Sequence, residues 1–284
     1  MKTILITGGN GFLGSEIIKD LISEYRVVVL QRTFKNERLK NYPDIKIYTA
    51  HHLEQIFKEN KIDIIIHAAT VYGRYGESSE TILDSNFLMP FRLLQFALKN
   101  KVSTFINVDT VLDKNTNDYS FTKAQFREWL MRVSDKIQVV NMQLEHFYGP
   151  GGNKDNFITI MSAKMLQNQP EIDFTKGEQK RDFIYIGDVV SAFNKVIKCL
   201  GELKQYNEFQ VASGEAFTIR QMLESIKKIT SSNSRLNFGN IPYRQNELMF
   251  PESDNRELIK LGWQPKTSFE DGITKTINDL KKNL

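Results

Sequence analysis

The chain has 284 residues, 40% of them hydrophobic and 25% charged, enough to bury a large core in one α/β domain or two lobes, and not the composition of a disordered or fibrous protein. Its 38 basic and 34 acidic residues give a formal charge of +4, with the signs mixed along the chain, so a nucleic-acid partner is not expected and a solvated Lys/Glu surface is. The single cysteine, Cys199, leaves no internal disulfide; it sits in an apolar helical pattern with Val196, Ile197 and Leu200 and reads as core filling in a reducing compartment.

Met1-Lys2 runs directly into Thr3-Ile4-Leu5-Ile6, too short for the apolar region of a signal peptide. No apolar run approaches the ~18 residues of a membrane span, so a cytoplasmic protein with no membrane partner is expected. Short, β-branched apolar runs at 3–7, 26–31, 45–49, 62–68 and 104–108 alternate with helical-period stretches at 12–24, 52–59, 80–100 and 119–131. This alternation predicts an α/β fold, a Rossmann-type doubly wound parallel sheet joined by right-handed crossovers. A strand at 138–144 is followed by Tyr148-Gly149-Pro150-Gly151-Gly152, strong punctuation that sets a boundary near residue 150. Beyond it the pattern loosens: a helix near 156–168, a charged turn at 176–180, strand 182–186, helix 188–200, strand 208–212, then a mixed tail. Residues 1–150 are expected to form the dinucleotide-binding domain, with segments around 182–212 returning to it. Residues 151–284 are expected to form mainly a smaller mixed α/β lobe.

Gly8, Gly11 and Gly14 follow the first strand and open the first helix. There, unpaired helix N–H groups can meet a pyrophosphate, and glycine lets the backbone approach it. A tight strand-to-helix connection is the plainer alternative. An NAD site usually presents an acid after the second strand; here the chain reads Gln31-Arg32-Thr33. Arg32 could pair with the 2′-phosphate of NADP or be an ordinary surface arginine. NADP(H) is therefore preferred, with NAD(H) the alternative. The four histidines, His51, His52, His67 and His146, lack zinc-site spacing; no metal is expected, and His67 should be packed and hydrogen-bonded.

Tyr119 and Lys123 stand four apart, so on a helix the phenol and the ammonium share a face. Lys123 and an oxidised nicotinamide should lower the phenol from its usual ~10. Tyr119 can then give a proton to a ketone oxygen as hydride reaches the carbon, while Lys123 also holds ribose hydroxyls. Thr110, just past the strand Thr104–Val108, is the candidate hydroxyl that holds the ketone oxygen; otherwise it caps a turn.

The glycine turn, Ile66-His67-Ala68-Ala69, Asn86, Thr110, the Tyr119/Lys123 pair, Tyr148-Gly149-Pro150, Arg181-Asp182-Phe183-Ile184-Tyr185 and Leu261-Gly262-Trp263-Gln264-Pro265 jointly resemble the extended short-chain dehydrogenase/reductases that act on nucleotide sugars, the NAD-dependent epimerase/dehydratase family. The resemblance implies cofactor contacts from Phe12, Leu13, Leu53, Ala68, Ala69, Tyr119 and Lys123. It adds His146, where many relatives carry asparagine near the nicotinamide carboxamide. It implies substrate contacts from Thr70, Tyr72 and Thr110. The C-terminal lobe would hold the sugar nucleotide, with Arg181 and Arg244 on its diphosphate and Asn156 near the phosphates. Arginine forks suit that task, although either could be an ordinary surface residue. A homodimer through 80–100 and 119–131 is likewise implied.

Dehydratases of the family place Asp-Glu after the hydroxyl residue; here Val111-Leu112 follow Thr110, which argues against dehydration. Epimerases keep the same residue set with a retained cofactor, commonly NAD. The absent acid after the second strand and the shorter chain favour an NADPH-exchanging reductase. The loop from Thr110 to Tyr119 is short, so the rim facing the substrate is trimmed. Asn141 to Pro150, Gly177 to Ile184 and Ala69-Thr70-Val71-Tyr72-Gly73 resemble the branch that reduces the 4-keto group of a CDP-linked 3,6-dideoxy sugar. The expectation is a 4-ketoreductase of a nucleotide-linked 4-keto-6-deoxy or 3,6-dideoxy sugar in surface polysaccharide biosynthesis. A nucleotide-sugar epimerase is the first alternative. A non-catalytic NADP-binding regulator is the second, and it would have no need of the Tyr/Lys pair. The nucleotide base and the C4 stereochemistry stay open.

Overall fold

The computed structural model describes residues 1–244, 247–251 and 253–282. They form two compact units, Met1–Leu144 with Phe193–Gln210, and Glu145–Ala192 with the described residues from Val211 on. In the first unit the chain runs β1 (Thr3–Thr7), α1 (Phe12–Leu21), β2 (Arg26–Gln31), β3 (Lys46–Thr49), α2 (Leu53–Glu59), β4 (Ile64–His67), α3 (Ser79–Leu83), a π-helical turn at Asp84–Leu88, α4 (Met89–Lys99), β5 (Thr104–Thr110), α5 (Asp118–Arg132) and β6 (Gln138–Leu144). The second unit opens with β7 (His146–Tyr148), α6 (Phe157–Leu166), β8 (Glu171–Phe174) and β9 (Lys180–Tyr185). Helix α7 (Ile186–Lys198) then leads back to β10 (Tyr206–Val211), and the chain ends with β11 (Ala216–Thr218), α8 (Ile219–Thr230), β12 (Arg235–Phe238), α9 (Arg256–Lys260) and α10 (Phe269–Lys282).

Seven strands form the main sheet in the order β10-β6-β5-β4-β1-β2-β3, and the pairings from β6 through to β3 are parallel. Thr3–Thr7 and Ile64–His67 are buried at every position, which is why these strands read as unbroken apolar runs: helices cover both faces of the sheet. One core joins Leu5, Val28, Ile65, Leu94, Phe105, Phe126 and Val139. Strand order reverses at β1, which has β2 on one side and β4 on the other. A crevice opens at the carboxyl ends of two such strands, and that is where open α/β sheets hold ligands.

In the second unit β11-β9-β7 and β12-β8 form two small sheets around a core of Tyr148, Ile158, Met165, Phe183, Met222 and Ile273. Two residues that carried the family likeness, Asp182 and Trp263, are staples, and Asp188 beside them is a third. The buried Asp182 carboxylate accepts from the backbone N–H groups of Ser213 at 2.9 Å and Gly214 at 2.8 Å. Asp188 accepts from Lys266 N and Thr267 N, both at 3.0 Å. Trp263 donates its indole N–H to Ser191 Oγ at 2.8 Å. Cys199 is buried and free. Among the described residues no helix is long and apolar enough to cross a membrane.

Gly14 closes the first turn of α1 onto the β1 loop. A Cβ there would lie 2.3 Å from the Gly8 carbonyl oxygen, a backbone atom that no rotamer change can move away. Alanine would bring about 1 kcal/mol of helix propensity, but overlap of this kind costs about 1–3 kcal/mol. Gly14→Ala should therefore destabilise the protein in urea denaturation followed by circular dichroism, and an unchanged or raised midpoint would refute the tight seating of α1.

Candidate active site

The glycine turn lies in the crevice beside β4. Gly8 has φ +72°, and a Cβ on it would come within 2.9 Å of Ala69 Cα, so only glycine lets the two loops touch. Gly11 N donates to Gly8 O at 2.9 Å, and Gly11 caps α1 without offering it a side-chain acceptor. The first-turn N–H groups and the positive end of the helix dipole are thus presented to the crevice. A cradle that any side chain would fill, at an uncapped helix start, fits a dinucleotide pyrophosphate. Phe12 and Leu13 are buried, so at this turn they offer backbone rather than side chain. Leu53, the first residue of α2, is half-buried against the main core.

Arg32 follows the last residue of β2 and is exposed. A second basic residue, Arg38, reaches the turn: its guanidinium lies 5.7 Å from the Phe12 ring centroid, and its backbone N–H donates to Asn10 Oδ1 at 3.0 Å. It occupies an irregular stretch that gave no periodic signal in the sequence.

After β4, Ala68 and Ala69 line the loop facing Gly8. Ala69 N donates to Thr7 Oγ1 at 3.0 Å, and the same hydroxyl bonds His67 Nδ1 at 2.8 Å. Burial and the nearby Lys123 charge push the His67 imidazole well below its ordinary value, so it is a neutral structural histidine that ties β4 to β1. Among the described residues no group of His, Cys, Asp and Glu could hold a metal ion.

The other wall is α5. Asn117 caps it, accepting from Ser120 N at 2.9 Å, which places Tyr119 in the first turn and Lys123 one turn on. Both are buried. Lys123 Nζ donates to Val108 O at 2.8 Å, and the Thr110 side chain lies close enough to the Tyr119 hydroxyl to act on it, while the Thr110 hydroxyl accepts from Leu112 N at 3.2 Å. Thr110 is the last residue of β5; the expectation that it lies past the strand is corrected, because register with β6 continues through Thr110↔Leu144. The Tyr72 ring lies 4.9 Å from that of Tyr119, and the Arg74 guanidinium sits 4.6 Å over Tyr72. Asn86 fixes the approach: its Oδ1 accepts from Thr70 Oγ1 at 3.1 Å and Val71 N at 2.9 Å, and its Nδ2 donates to Val71 O at 2.8 Å. It sits in the π-helical turn, a distortion that often re-aims a side chain at a functional site.

The electrostatics correct one expectation. Tyr119 is raised well above its ordinary value, chiefly by burial, then by Tyr72 and Asp109; the Thr110 side chain and Arg74 oppose the rise. Burial outweighs any lowering by Lys123, whose own ammonium is depressed by burial to about 8. At neutral pH Tyr119 is accordingly a neutral phenol, a proton donor rather than a base.

The remaining expected residues belong to the second unit. His146 Nδ1 lies 3.1 Å from Glu145 Oε2, and its ring meets Phe183 edge-on. Asn156 caps α6 by accepting from Ile158 N at 3.1 Å and donates to Phe147 O at 3.0 Å. Arg181 pairs with Glu247 and donates to Leu248 O, tying β9 to the segment that carries the exposed Arg244.

Comparison with known proteins agrees with this architecture. The NAD dependent epimerase/dehydratase family matches residues 4–212. The chain is 31% identical to CDP-abequose synthase of Salmonella typhimurium, covering 98% of both chains. It is 23% identical to dTDP-4-dehydro-6-deoxyglucose reductase of Escherichia coli, covering 98% of this chain and 97% of the other. In fold it is similar to UDP-glucose 4-epimerase of Thermotoga maritima, solved with UDP-glucose, at a TM-score of 0.88 and 23% identity over 99% of each chain. The protein is a member of the NAD-dependent epimerase/dehydratase family.

Proposed function

We propose that the protein is an NADPH-dependent 4-ketoreductase of a nucleotide-linked 4-keto-6-deoxy or 3,6-dideoxy sugar, a CDP-abequose-synthase-like enzyme of surface polysaccharide biosynthesis. The observation that carries this reading is the burial of Tyr119 and Lys123 on one face of α5, with Lys123 Nζ bonded to Val108 O on the strand that ends in Thr110, and, among the described residues, no free carboxylate directly after Thr110. Val111-Leu112 follow Thr110. The preceding carboxylate, Asp109, is engaged by Arg127 and Asn141 at 2.6 and 2.8 Å. Full-length likeness to CDP-abequose synthase supports the same choice.

The reduced nicotinamide supplies a hydride to the ketone carbon. Tyr119, kept as a phenol by its burial, gives its proton to the ketone oxygen, and Thr110 orients that oxygen. Carbon gains the hydride and oxygen the phenolic proton, which balances the reduction. Lys123 holds the cofactor ribose and offsets the phenolate that forms. Gly8, Gly11 and Gly14 receive the pyrophosphate, and Arg32 with Arg38 takes the 2′-phosphate. Arg181 and Arg244 are assigned to the sugar-nucleotide diphosphate, with Asn156, Thr70, Tyr72 and His146 in supporting contacts. A homodimer is part of the proposal: Leu83, Leu88, Phe121, Trp129 and Met131 are large apolar side chains exposed on α3, the π-helical turn and α5, a face suited to a second copy.

Mixing the protein with NADPH and a panel of nucleotide-linked 4-keto sugars should give stoichiometric loss of reduced-nicotinamide absorbance. Interconversion of sugars without net oxidation would make it an epimerase, and silence across the panel a non-catalytic binder. Tyr119→Phe should lower kcat by about 10²–10⁴ while fluorescence titration finds NADPH affinity nearly unchanged; preserved turnover would remove Tyr119 from its role. Arg32→Asp should shift kcat/KM from NADPH toward NADH, and an unaltered preference would count against the 2′-phosphate contact. In sedimentation velocity the native protein should run as a dimer and Met131→Glu as a monomer with an intact circular dichroism spectrum. A native monomer would refute the interface.

A further inference from the structure

Tyr119 and Lys123 are two of three residues spaced by four along α5; the third is Arg127. Residues at this spacing lie above one another on a helix, and each of the three is anchored to β5. The Tyr119 hydroxyl lies close to the Thr110 side chain, and Lys123 Nζ meets Val108 O at 2.8 Å. Arg127 Nε donates to Asp109 Oδ2 at 2.6 Å, with Nη2 at 3.5 Å from Thr110 O. The Asp109 side chain is wholly buried, whereas that of Arg127 keeps 25% of its surface exposed.

Asp109 is held from all sides. Its Oδ1 accepts from Thr110 N at 2.8 Å, and its Oδ2 accepts from Asn141 Nδ2 at 2.8 Å as well as from Arg127. Asn141 is itself held, its Oδ1 accepting from Asn107 Nδ2 at 2.7 Å. A buried ion pair adds little net stability over apolar residues of the same shape. A carboxylate here does something an apolar residue could not. Lys123 is desolvated; the Val108 carbonyl accepts from its ammonium, and Asp109 is the charged group that favours that form.

We propose that Asp109 and Arg127 are a positioning pair for the site: they lock the Tyr119/Lys123 face of α5 onto the strand that ends in Thr110, with the Asp109 carboxylate next along the chain from the carbonyl that holds Lys123. The pair matters to catalysis only through the ketoreductase reading of Tyr119 and Lys123, on which this inference rests. The other groups around it are few. Lys123 is faced by Asp109 on β5 and by His67 on β4, which burial keeps neutral, and its ammonium donates to Val108 O. Tyr119 is faced by Thr110, Tyr72, Asp109 and Arg74. Arg127 is faced by Asp109 and by Tyr206 and Glu208 on β10.

The sign of each substitution follows from charge. Asp109→Asn removes the anion that favours the Lys123 ammonium, so the lysine loses its proton at lower pH. Arg127→Gln removes the cation that offsets that anion, so the lysine keeps its proton to higher pH. An element that only braced the fold would move both variants the same way or neither.

The test needs no substrate. In protein labelled with [ε-¹³C]lysine, the Lys123 resonance is assigned by its loss in Lys123→Met and followed from neutral to strongly alkaline pH. The native midpoint is expected at about 8. Asp109→Asn should lower it by about one pH unit, and Arg127→Gln should raise it by a similar amount. The alkaline limb of kcat for keto-sugar reduction should follow in each variant, and Arg127→Lys should restore most of the native profile. If Asp109→Asn does not fold, Arg127→Gln alone decides. Midpoints that stay put, or that move together, overturn the proposal even if the enzyme is an active reductase. Opposite shifts in a protein that reduces no keto sugar uphold the pair and sink the ketoreductase reading instead.

Discussion

A lysine ammonium taken out of water and set against the carbonyl of Val108 is the constraint from which the rest of the site follows. Burying a charge is costly unless it is paired and hydrogen-bonded, and here one carbonyl and the field of Asp109 carry that load. The contact fixes α5 at one height and one rotation over β5. With the helix so fixed, the residue one turn earlier, Tyr119, can only meet the end of the same strand, where Thr110 stands. The phenol is desolvated for the same reason as the amine. Burial works in opposite senses on the two, raising the acid and lowering the base. Under the proposed reading the phenol would give up its proton and the charge on Lys123 would offset the phenolate that forms.

The cofactor turn depends on a constraint of shape rather than charge. Gly8 and Ala69 approach so closely that a methyl group on Gly8 would strike backbone, and Thr7 links both loops to His67. The crevice is thereby closed at its base, leaving the helix start as its polar wall. Motifs far along the chain serve a different purpose. Asp182, Asp188 and Trp263 satisfy loop N–H groups or bond another side chain, holding loops in place without meeting any reacting atom. Much of what makes the sequence resemble its relatives is thus loop carpentry.

The first unit was legible in the sequence because its strands are buried on both faces and its helices are long. The runs ending at Thr7 and His67 left no alternative to a parallel sheet, and the four-residue spacing of Tyr119 and Lys123 predicted a shared helical face that α5 provides. The second unit was less so. Its strands β7, β8, β11 and β12 span only three or four residues, too few for alternation to register, and α8 and α10 were left inside a mixed tail. The direction of the Tyr119 shift was misread because sequence spacing shows proximity but not desolvation. Arg38 was missed because a loop brings it to the glycine turn. Arg127 could have been found, since it continues the same spacing by one more turn.

Along β5 the residues Phe105, Asn107 and Asp109 share a face, and their character changes from apolar to charged toward the end that carries Thr110. Phe105 packs with Phe126 and with the His67 ring, and Asn107 begins the amide chain that ends on Asp109. Lys123 lies where these two environments meet. Burial lowers its proton affinity, and the Asp109 anion restores part of it. One turn on, Arg127 meets the same carboxylate directly, so Asp109 serves two successive turns of α5. The gradient along this single strand thus sets two opposed influences on one buried amine, desolvation against a neighbouring anion.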